Sequence, residues 1–231
     1  MSSEFSVDEA KREIYEDGFF VIENPTLGER MDVNMAYNFS SETGFKFCYD
    51  FVLSDSRVRE TIDALGRDIN SQFILAYCSG LAPDSRILSF QPNGGDKPSH
   101  LLVHAWSKGS NSTYYGGSHQ KQISKVKIET DLLRTLLPQL KNNGLVGTRL
   151  GHNEKDENCR GADGCLVIYD ARVSFEPRNG WSYFYVFVEK AHLEERKRKG
   201  SILFTGLRPP ASQDWNSIAQ LGVDVQRDEG S

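Results

Sequence analysis

The chain has 231 residues, with 27 Lys and Arg against 32 Asp and Glu, so its formal net charge is −5, and 38% of its residues are hydrophobic. This composition is typical of an ordinary globular protein, and the mild acidity argues against nucleic acid or an anionic membrane surface as the main partner. No apolar run approaches the roughly 18–20 residues that cross a bilayer, and the first residues lack the basic and apolar segments of a signal peptide.

The first predicted elements are a helix and a strand. Ser6 and Glu9 form the capping-box spacing S-x-x-E ahead of a helix that runs to Tyr15, and Gly18 follows as a C-terminal stop signal. Residues 19–22 form a short run of aromatic and β-branched residues, which predicts a strand.

A second helix is indicated by apolar residues that recur at helical spacing and are separated by charged residues. The apolar positions are Val58, Ile62, Leu65, Ile69 and Phe73. The pattern predicts an amphipathic helix that buries one face, and it assigns this helix no function of its own.

From residue 86 onward the pattern favours strands. The predicted strands cover residues 86–90, 101–106, 165–169 and 181–188. A short helix is predicted over 130–137, ended by Pro138, followed by a polar loop over 151–161 and a solvated helix face over the charge run 194–199. Neither an internal repeat nor a linker divides the chain.

Cysteine usage predicts a reducing compartment. Cys48, Cys78, Cys159 and Cys165 are few and widely spaced, and no C-x-x-C pair occurs. A disulfide framework or a structural zinc site would need closer spacing. The sequence therefore predicts free thiols and a cytoplasmic protein.

Three fragments, in this order, resemble segments of one known family. They read YEDGFFVI at residues 15–22, VHAW at 103–106 continuing to YGGSH at 115–119, and GCLVIYDAR at 164–172. The set resembles the DGFxVI entry, the PGSH segment and the GDLVLFDxR strand of the phytanoyl-CoA dioxygenase family, a branch of the iron(II)- and 2-oxoglutarate-dependent dioxygenases. Gly116 stands where the family has proline.

The resemblance implies a mainly β fold with flanking helices, a double-stranded β-helix of the jelly-roll or cupin-like type. On this expectation residues 1–231 form one domain. A helical N-terminal support covers 1–85, the barrel core covers 86–190, and a C-terminal helix and tail cover 191–231.

The resemblance also implies an iron centre of two histidines and one carboxylate, with 2-oxoglutarate beside it. The first histidine and the carboxylate should lie within residues 89–96, which contain no histidine and offer only Gln91 and Asn93 as poor substitutes. The last histidine should lie where the chain has Phe175. The arginine for 2-oxoglutarate should lie within 181–188, which contain no Arg or Lys. We therefore predict a degenerate member without metal ligands, catalytic residues or a cofactor.

The candidate pocket residues are polar and aromatic side chains that the resemblance places in or near the barrel. They are Gln91, Asn93, His104, Trp106, Tyr115, His119, Tyr169, Arg172, Phe175, Tyr183 and Tyr185. The H-x-E matches that begin at His152 and His192 are attributed to chance, because such short motifs recur without function.

Three functions remain open. The favoured hypothesis is a non-catalytic dioxygenase-fold protein that forms a heterodimer with an active iron and 2-oxoglutarate dioxygenase, for example in natural-product biosynthesis, or a homodimer. The second is an active iron(II)- and 2-oxoglutarate-dependent oxygenase with atypical ligands. The third is a metal-independent isomerase or cyclase that uses the barrel pocket. Its acid–base candidates are His104, Tyr115, His119, Tyr169 and Arg172.

Overall fold

The structure is a computed structural model that describes residues 5–33, 42–128, 132–151 and 160–199. Its helices are α1 (Val7–Glu16), α2 (Pro25–Val33), α3 (Glu42–Cys48), which continues into a π-helical turn (Tyr49–Leu53), α4 (Ser56–Asp68), α5 (Leu137–Asn142) and α6 (Lys190–Arg198). Its strands are β1 (Phe19–Glu23), β2 (Phe73–Leu81), β3 (Ile87–Ser89), β4 (His100–Trp106), β5 (Asn111–Tyr115), β6 (Lys125–Lys127), β7 (Leu133–Thr135), β8 (Gly147–Gly151), β9 (Cys165–Asp170), β10 (Ser174–Asn179) and β11 (Ser182–Glu189).

The strands form two antiparallel sheets with the winding of a double-stranded β-helix. The five-stranded sheet has the order β1-β9-β4-β11-β2, and the six-stranded sheet has the order β6-β7-β3-β10-β5-β8. Four antiparallel pairs are nested along the chain, from the innermost to the outermost β5·β8, β4·β9, β3·β10 and β2·β11. Successive pairs alternate between the two sheets. Nested antiparallel pairs of this kind define a jelly roll, which confirms the predicted fold class.

The five-stranded sheet is buried on both faces. On β11, Tyr183, Tyr185 and Phe187 pack in one cluster with apolar residues of α1 and α4. The alternate residues Phe184 and Val186 pack in a second cluster with residues of the six-stranded sheet. Because successive side chains of a strand point to opposite faces, the first set lies against the helices and the second set fills the space between the sheets.

The N-terminal helix begins and ends as its local signals predict. The Ser6 hydroxyl accepts a hydrogen bond from the Glu9 backbone N–H at 3.4 Å, which caps the first turn. Gly18 follows with φ of +92°, a conformation that side-chain-bearing residues adopt at a cost. β1 then pairs with β9 over its whole length, and this docks α1 against the sheet.

Three sequence predictions differ from the structure. Helix α4 ends at Asp68, and Phe73, predicted to continue it, begins β2 instead. Residues 1–85 thus supply two strands of the five-stranded sheet, β1, which the sequence predicts, and β2, which it does not. The helix predicted over 130–137 is wrong, since β7 covers Leu133–Thr135 and α5 begins at Leu137. Pro138 lies in the first turn of α5, where its missing N–H is not needed.

The described residues bear on the prediction of free thiols. Cys48, Cys78 and Cys165 are free and buried, and Cys159 lies outside the described residues. Most of the predicted loop over 151–161 lies outside them as well. In the part of the chain that the structure describes, no helix combines the length and apolar character that a bilayer crossing needs.

We predict that Gly18→Ala destabilises the fold by about 2–4 kcal/mol, as the sum of the left-handed backbone and overpacking costs. A Cβ at residue 18 would collide with a methyl group of Val173 and lie 2.6 Å from Nδ1 of His119. Gly109→Ala is the matched control, because Gly109 has a similar φ of +73° but open space around its Cβ direction. We expect the control to lose about 1 kcal/mol in urea unfolding. Equal losses for the two variants would contradict the packing argument.

Candidate functional site

The space between the two sheets is filled by aromatic side chains around one imidazole. His104 of β4 is fully buried, and its ring lies 5.3 Å from Trp106, 4.9 Å from Tyr169 and 5.0 Å from Phe175, measured between ring centroids. Tyr114 of β5 completes the cluster at 6.4 Å. The structure thus brings together four of the sequence-predicted residues, and it places them in a packed interior.

Hydrogen bonds hold this interior cluster in one arrangement. Tyr114 Oη lies 2.8 Å from Nδ1 of His104 and accepts a hydrogen bond from Nε1 of Trp106 at 3.0 Å. Tyr169 Oη lies 3.1 Å from Nε2 of the same imidazole. The neutral imidazole donates one of its two bonds and accepts the other, so both ring nitrogens have partners.

Protonation of His104 is unfavourable in this environment. Burial lowers the pKa of His104 from 6.5 to about 3. A second ring proton would also prevent either tyrosine hydroxyl from donating to the ring, because both ring nitrogens would then be donors. Burial likewise raises the pKa values of Tyr114 and Tyr169 well above 10, so the cluster is uncharged near neutral pH.

The interior does not fit the iron centre that the family resemblance implies. Phe175 of β10 stacks on Phe90 at 5.9 Å with an interplanar angle of 5°, and Phe90 also contacts Phe184 of β11 at 4.8 Å. These rings offer no ligand atom, and the one imidazole near them has both nitrogens engaged. An iron site of this type needs two histidines, a carboxylate and open positions. Within residues 5–33, 42–128, 132–151 and 160–199, no three His, Cys, Asp or Glu side chains are grouped to hold a metal.

A polar cleft of about 750 Å³ lies at the mouth of the barrel. It is bounded by the end of α1, the loop after β3, the segment after β5 and the turn after β9. Three sequence-predicted residues, Asn93, His119 and Arg172, line it. Its volume is in the range of small-molecule sites, but its lining is polar, whereas such sites are mostly apolar.

An ion pair organises the floor of the cleft. Arg172 and Asp170 expose only 8% and 3% of their side chains, and Nη2 of Arg172 lies 2.6 Å from Oδ2 of Asp170. The other guanidinium nitrogens donate to Asp170 and to the backbone carbonyl oxygens of Gly94 and Gly95. Arg172 therefore ties the loop after β3 to β9, and every nitrogen of its guanidinium has a partner within the chain.

Lys125 of β6 joins the same two loops from the other side. Its Nζ donates to the backbone oxygens of Gln91 at 3.1 Å and Arg172 at 2.6 Å. Burial lowers the pKa of Lys125 from 10.5 to about 7. The sequence analysis does not identify Lys125 as a site residue. No local pattern around a single lysine indicates that its amine reaches two carbonyl oxygens of distant loops.

His119 is fixed by the backbone of α1. Its Nε2 donates to the Tyr15 carbonyl oxygen at 3.1 Å, so Nδ1 is the unprotonated nitrogen when the ring is neutral. Burial lowers the pKa of His119 below its ordinary value. Among the described residues Nδ1 has no hydrogen-bond partner, and it lies next to Gly18. The imidazole thus packs against the turn between α1 and β1.

The remaining sequence-predicted residues lie apart from one another. Tyr115 extends from β5 toward Glu176 on the outer side of the six-stranded sheet, with its Oη 3.5 Å from the carboxylate. Tyr183 and Tyr185 pack with the helices. Gln91 lines a second, smaller pocket. His152 lies outside the described residues, and His192 lies in α6, as the charge pattern indicates.

Comparison with known proteins finds similarity only among solved structures. No family model and no curated protein matches the chain. The epimerase SnoN, solved in complex with Fe3+, alpha ketoglutarate and nogalamycin RO, shares 10% identity with a TM-score of 0.47, over 79% of this chain and 83% of SnoN. AviO1 from Streptomyces viridochromogenes Tue57 shares 10% identity with a TM-score of 0.42, over 82% of this chain and 98% of AviO1. The jelly-roll assignment rests on the strand pairing described above.

We predict that Asp170→Asn destabilises the protein by about 3–5 kcal/mol, because it leaves the buried Arg172 charge without its carboxylate. Asp84→Asn is the matched control, since Asp84 and Arg86 form the same D-x-R pair with 19% and 40% of their side chains exposed. We expect the control to lose at most about 1 kcal/mol. Chemical denaturation of both variants measures the difference, and a loss below about 1 kcal/mol for Asp170→Asn would contradict the structural role.

We predict that acid destabilises the fold through buried imidazoles. Burial lowers the pKa values of His100 and His104 from 6.5 to about 3, so between these pH values the unfolded chain binds more protons than the native protein. The stability that depends on the neutral form of these histidines is fully present above pH 6.5. As the pH decreases below this value, the free energy of unfolding falls by up to about 1.4 kcal/mol per pH unit for each histidine. Urea unfolding from pH 7 to 4 measures how steeply the free energy of unfolding depends on pH. His104→Gln should reduce the part of this dependence that comes from the two histidines by about half. An unchanged slope would show that His104 is not buried in its neutral form.

Proposed function

We propose that this chain is a divergent relative of the iron- and 2-oxoglutarate-dependent oxygenases that works without iron, as the non-catalytic partner subunit of an active homologue. The single observation that carries the proposal is the filled interior. The Phe90–Phe175 stack and the hydrogen-bonded His104 occupy the space between the sheets. The three sequence fragments and the nested strand pairs support the relationship to the fold family.

A closed interior favours a binding role over oxygenation. An oxygenase of this type must admit a metal, a 2-oxo acid and oxygen to adjacent positions. Here Phe175, Tyr169 and His104 have no more than 1% of their surface exposed, and the polar cleft lies outside them at the mouth. The acid–base candidates of a metal-independent enzyme also contact protein atoms. The geometry therefore favours neither an active oxygenase nor a metal-independent enzyme.

A partner surface is available on the six-stranded sheet side. Among the described residues, five large hydrophobic side chains are exposed, and four of them come from one stretch of the chain, which the structure describes over 126–128 and 132–146. They are Val126, Leu136, Leu137 and Val146. This stretch contains β7 and α5, and Leu140 of α5 packs in a small buried cluster with Ile123. Exposed apolar side chains are typical of protein interfaces, and we assign this surface to the catalytic homologue.

The iron test is an elemental analysis. We expect purified protein, loaded anaerobically with ferrous iron and 2-oxoglutarate and then desalted, to retain less than about 0.1 iron per chain, because the described interior lacks a ligand set. We also expect no succinate above the level without protein. One iron per chain together with 2-oxoglutarate-dependent succinate formation would overturn the proposal and favour an active oxygenase.

The partner test uses an active dioxygenase homologue from the same genome. We expect co-expression to give a complex of the two chains by light scattering, and 2-oxoglutarate turnover by the homologue to need both. Leu137→Glu combined with Val146→Glu should weaken the complex at least tenfold, because two charges then face an apolar interface. Trp181→Glu, at the fifth exposed hydrophobic residue, should leave it intact. Full activity of the homologue alone, or equal loss with the control variant, would contradict the assignment.

A further inference from the structure

We propose that a small pocket between β11, the start of β4 and α6 binds a short-chain carboxylate, with His100 and Arg196 as its recognition groups. The pocket is distinct from the polar cleft and from the apolar surface of residues 126–146. The inference is independent of the proposed function, since it requires neither iron nor a partner chain.

The pocket has an apolar floor and a volume that suits a small molecule. Phe90, Ala171, Val186 and Val188 form the apolar part of its lining, and its volume is about 30 Å³. The pocket is far smaller than the polar cleft, which favours a carboxylate with a short chain over an aromatic acid.

His100 supplies a buried polar atom that lacks a partner. Its side chain is 4% exposed, its Nδ1 lies 2.9 Å from the Ser99 hydroxyl oxygen, and its Nε2 has no hydrogen-bond partner among the described residues. When the Ser99 hydroxyl donates to Nδ1, the ring proton lies on Nε2 and needs an acceptor. The edge-to-face contact with His192, at 4.9 Å between centroids, does not provide a strong one.

Arg196 makes an anion the preferred ligand. It lies in α6, lines the pocket and is half-buried, and no hydrogen bond or ion pair within the described ranges engages its guanidinium group. The carboxylate of Glu195, its neighbour, is paired with Lys199. An arginine beside an imidazole N–H donor recognises a carboxylate through charge-assisted hydrogen bonds.

The same residues do not favour a metal ion. His100 and His192 are two imidazoles, and no third His, Cys, Asp or Glu joins them in the described part of the chain. The positive charge of Arg196 would also repel a cation. Arg196 also contributes, after burial and His192, to the low pKa of His100.

The experiment follows the imidazole of His100 by NMR in the labelled full-length protein at pH 7. Sodium acetate and sodium propionate are added at constant ionic strength against sodium chloride, with acetamide as the uncharged analogue and benzoate as the oversized acid. We expect a saturable shift of the His100 ring signals with acetate and propionate. Chloride, acetamide and benzoate should leave these signals unchanged.

Two variants on the same helix locate the binding group. Arg196→Gln should weaken acetate binding at least tenfold, because the charge-assisted pair is lost. Arg198→Gln, at an exposed arginine of α6, should bind as the wild type does. The absence of a saturable His100 shift, an equal response to benzoate, or equal effects of the two variants would overturn the inference. Each of these outcomes leaves the iron and partner tests unaffected.

Discussion

The packing between the two sheets depends on the hydrogen bonds of one buried imidazole. His104 receives a tyrosine hydroxyl at each ring nitrogen, one from the strand paired to β8 and one from a neighbouring strand of its own sheet. A buried imidazole without these partners would leave polar atoms unpaired in an apolar space, which is strongly unfavourable. With them, the ring packs among Phe90, Phe175 and Trp106 like an aromatic residue. The centre of the barrel thereby becomes a hydrophobic core.

The polar side chains at the mouth of the barrel also have their hydrogen-bond partners within the protein. Arg172 and Lys125 both direct their nitrogens to carbonyl oxygens or to Asp170. The side-chain amide of Asn93 likewise donates to the carbonyl oxygens of Ser118 and Lys121. These bonds join the loop after β3 to the segments after β5 and β9. Groups that could otherwise bind a substrate instead fix the loops.

The sequence predicted the elements whose signals are local. The Ser6 cap, the turn at Gly18 and the buried face of α4 all depend on residues within a few positions of each other, and all appear as predicted. Phe73 was misplaced because its helical spacing continues past the true end of α4, where pairing with Glu189 of β11 makes it part of a strand. Pro138 was read as a stop signal although proline also begins helices.

The interior could not be predicted because β11 is apolar on both faces. Tyr183 and Tyr185 were expected near a pocket, but the alternate residues Phe184 and Val186 are equally suited to burial. A strand buried on both sides shows no alternation that would tell which set faces the second sheet. The hydrogen bonds of His104 were hidden for a related reason. Its partners come from β5 and β9, and their positions are set by pairing across the sheets.

Two buried histidines lie on one face of β4. His100 and His104 are four residues apart on this strand, so their side chains point the same way and lie about 13 Å from each other. At the centre, the imidazole of His104 has both nitrogens bonded, whereas at the end of the strand Nε2 of His100 has no hydrogen-bond partner among the residues that the structure describes. Leu102 between them is fully buried, so the packed interior ends near the first residue of β4. The same residue type is therefore fully hydrogen-bonded at one position and has one ring nitrogen without a partner in the described structure at the other.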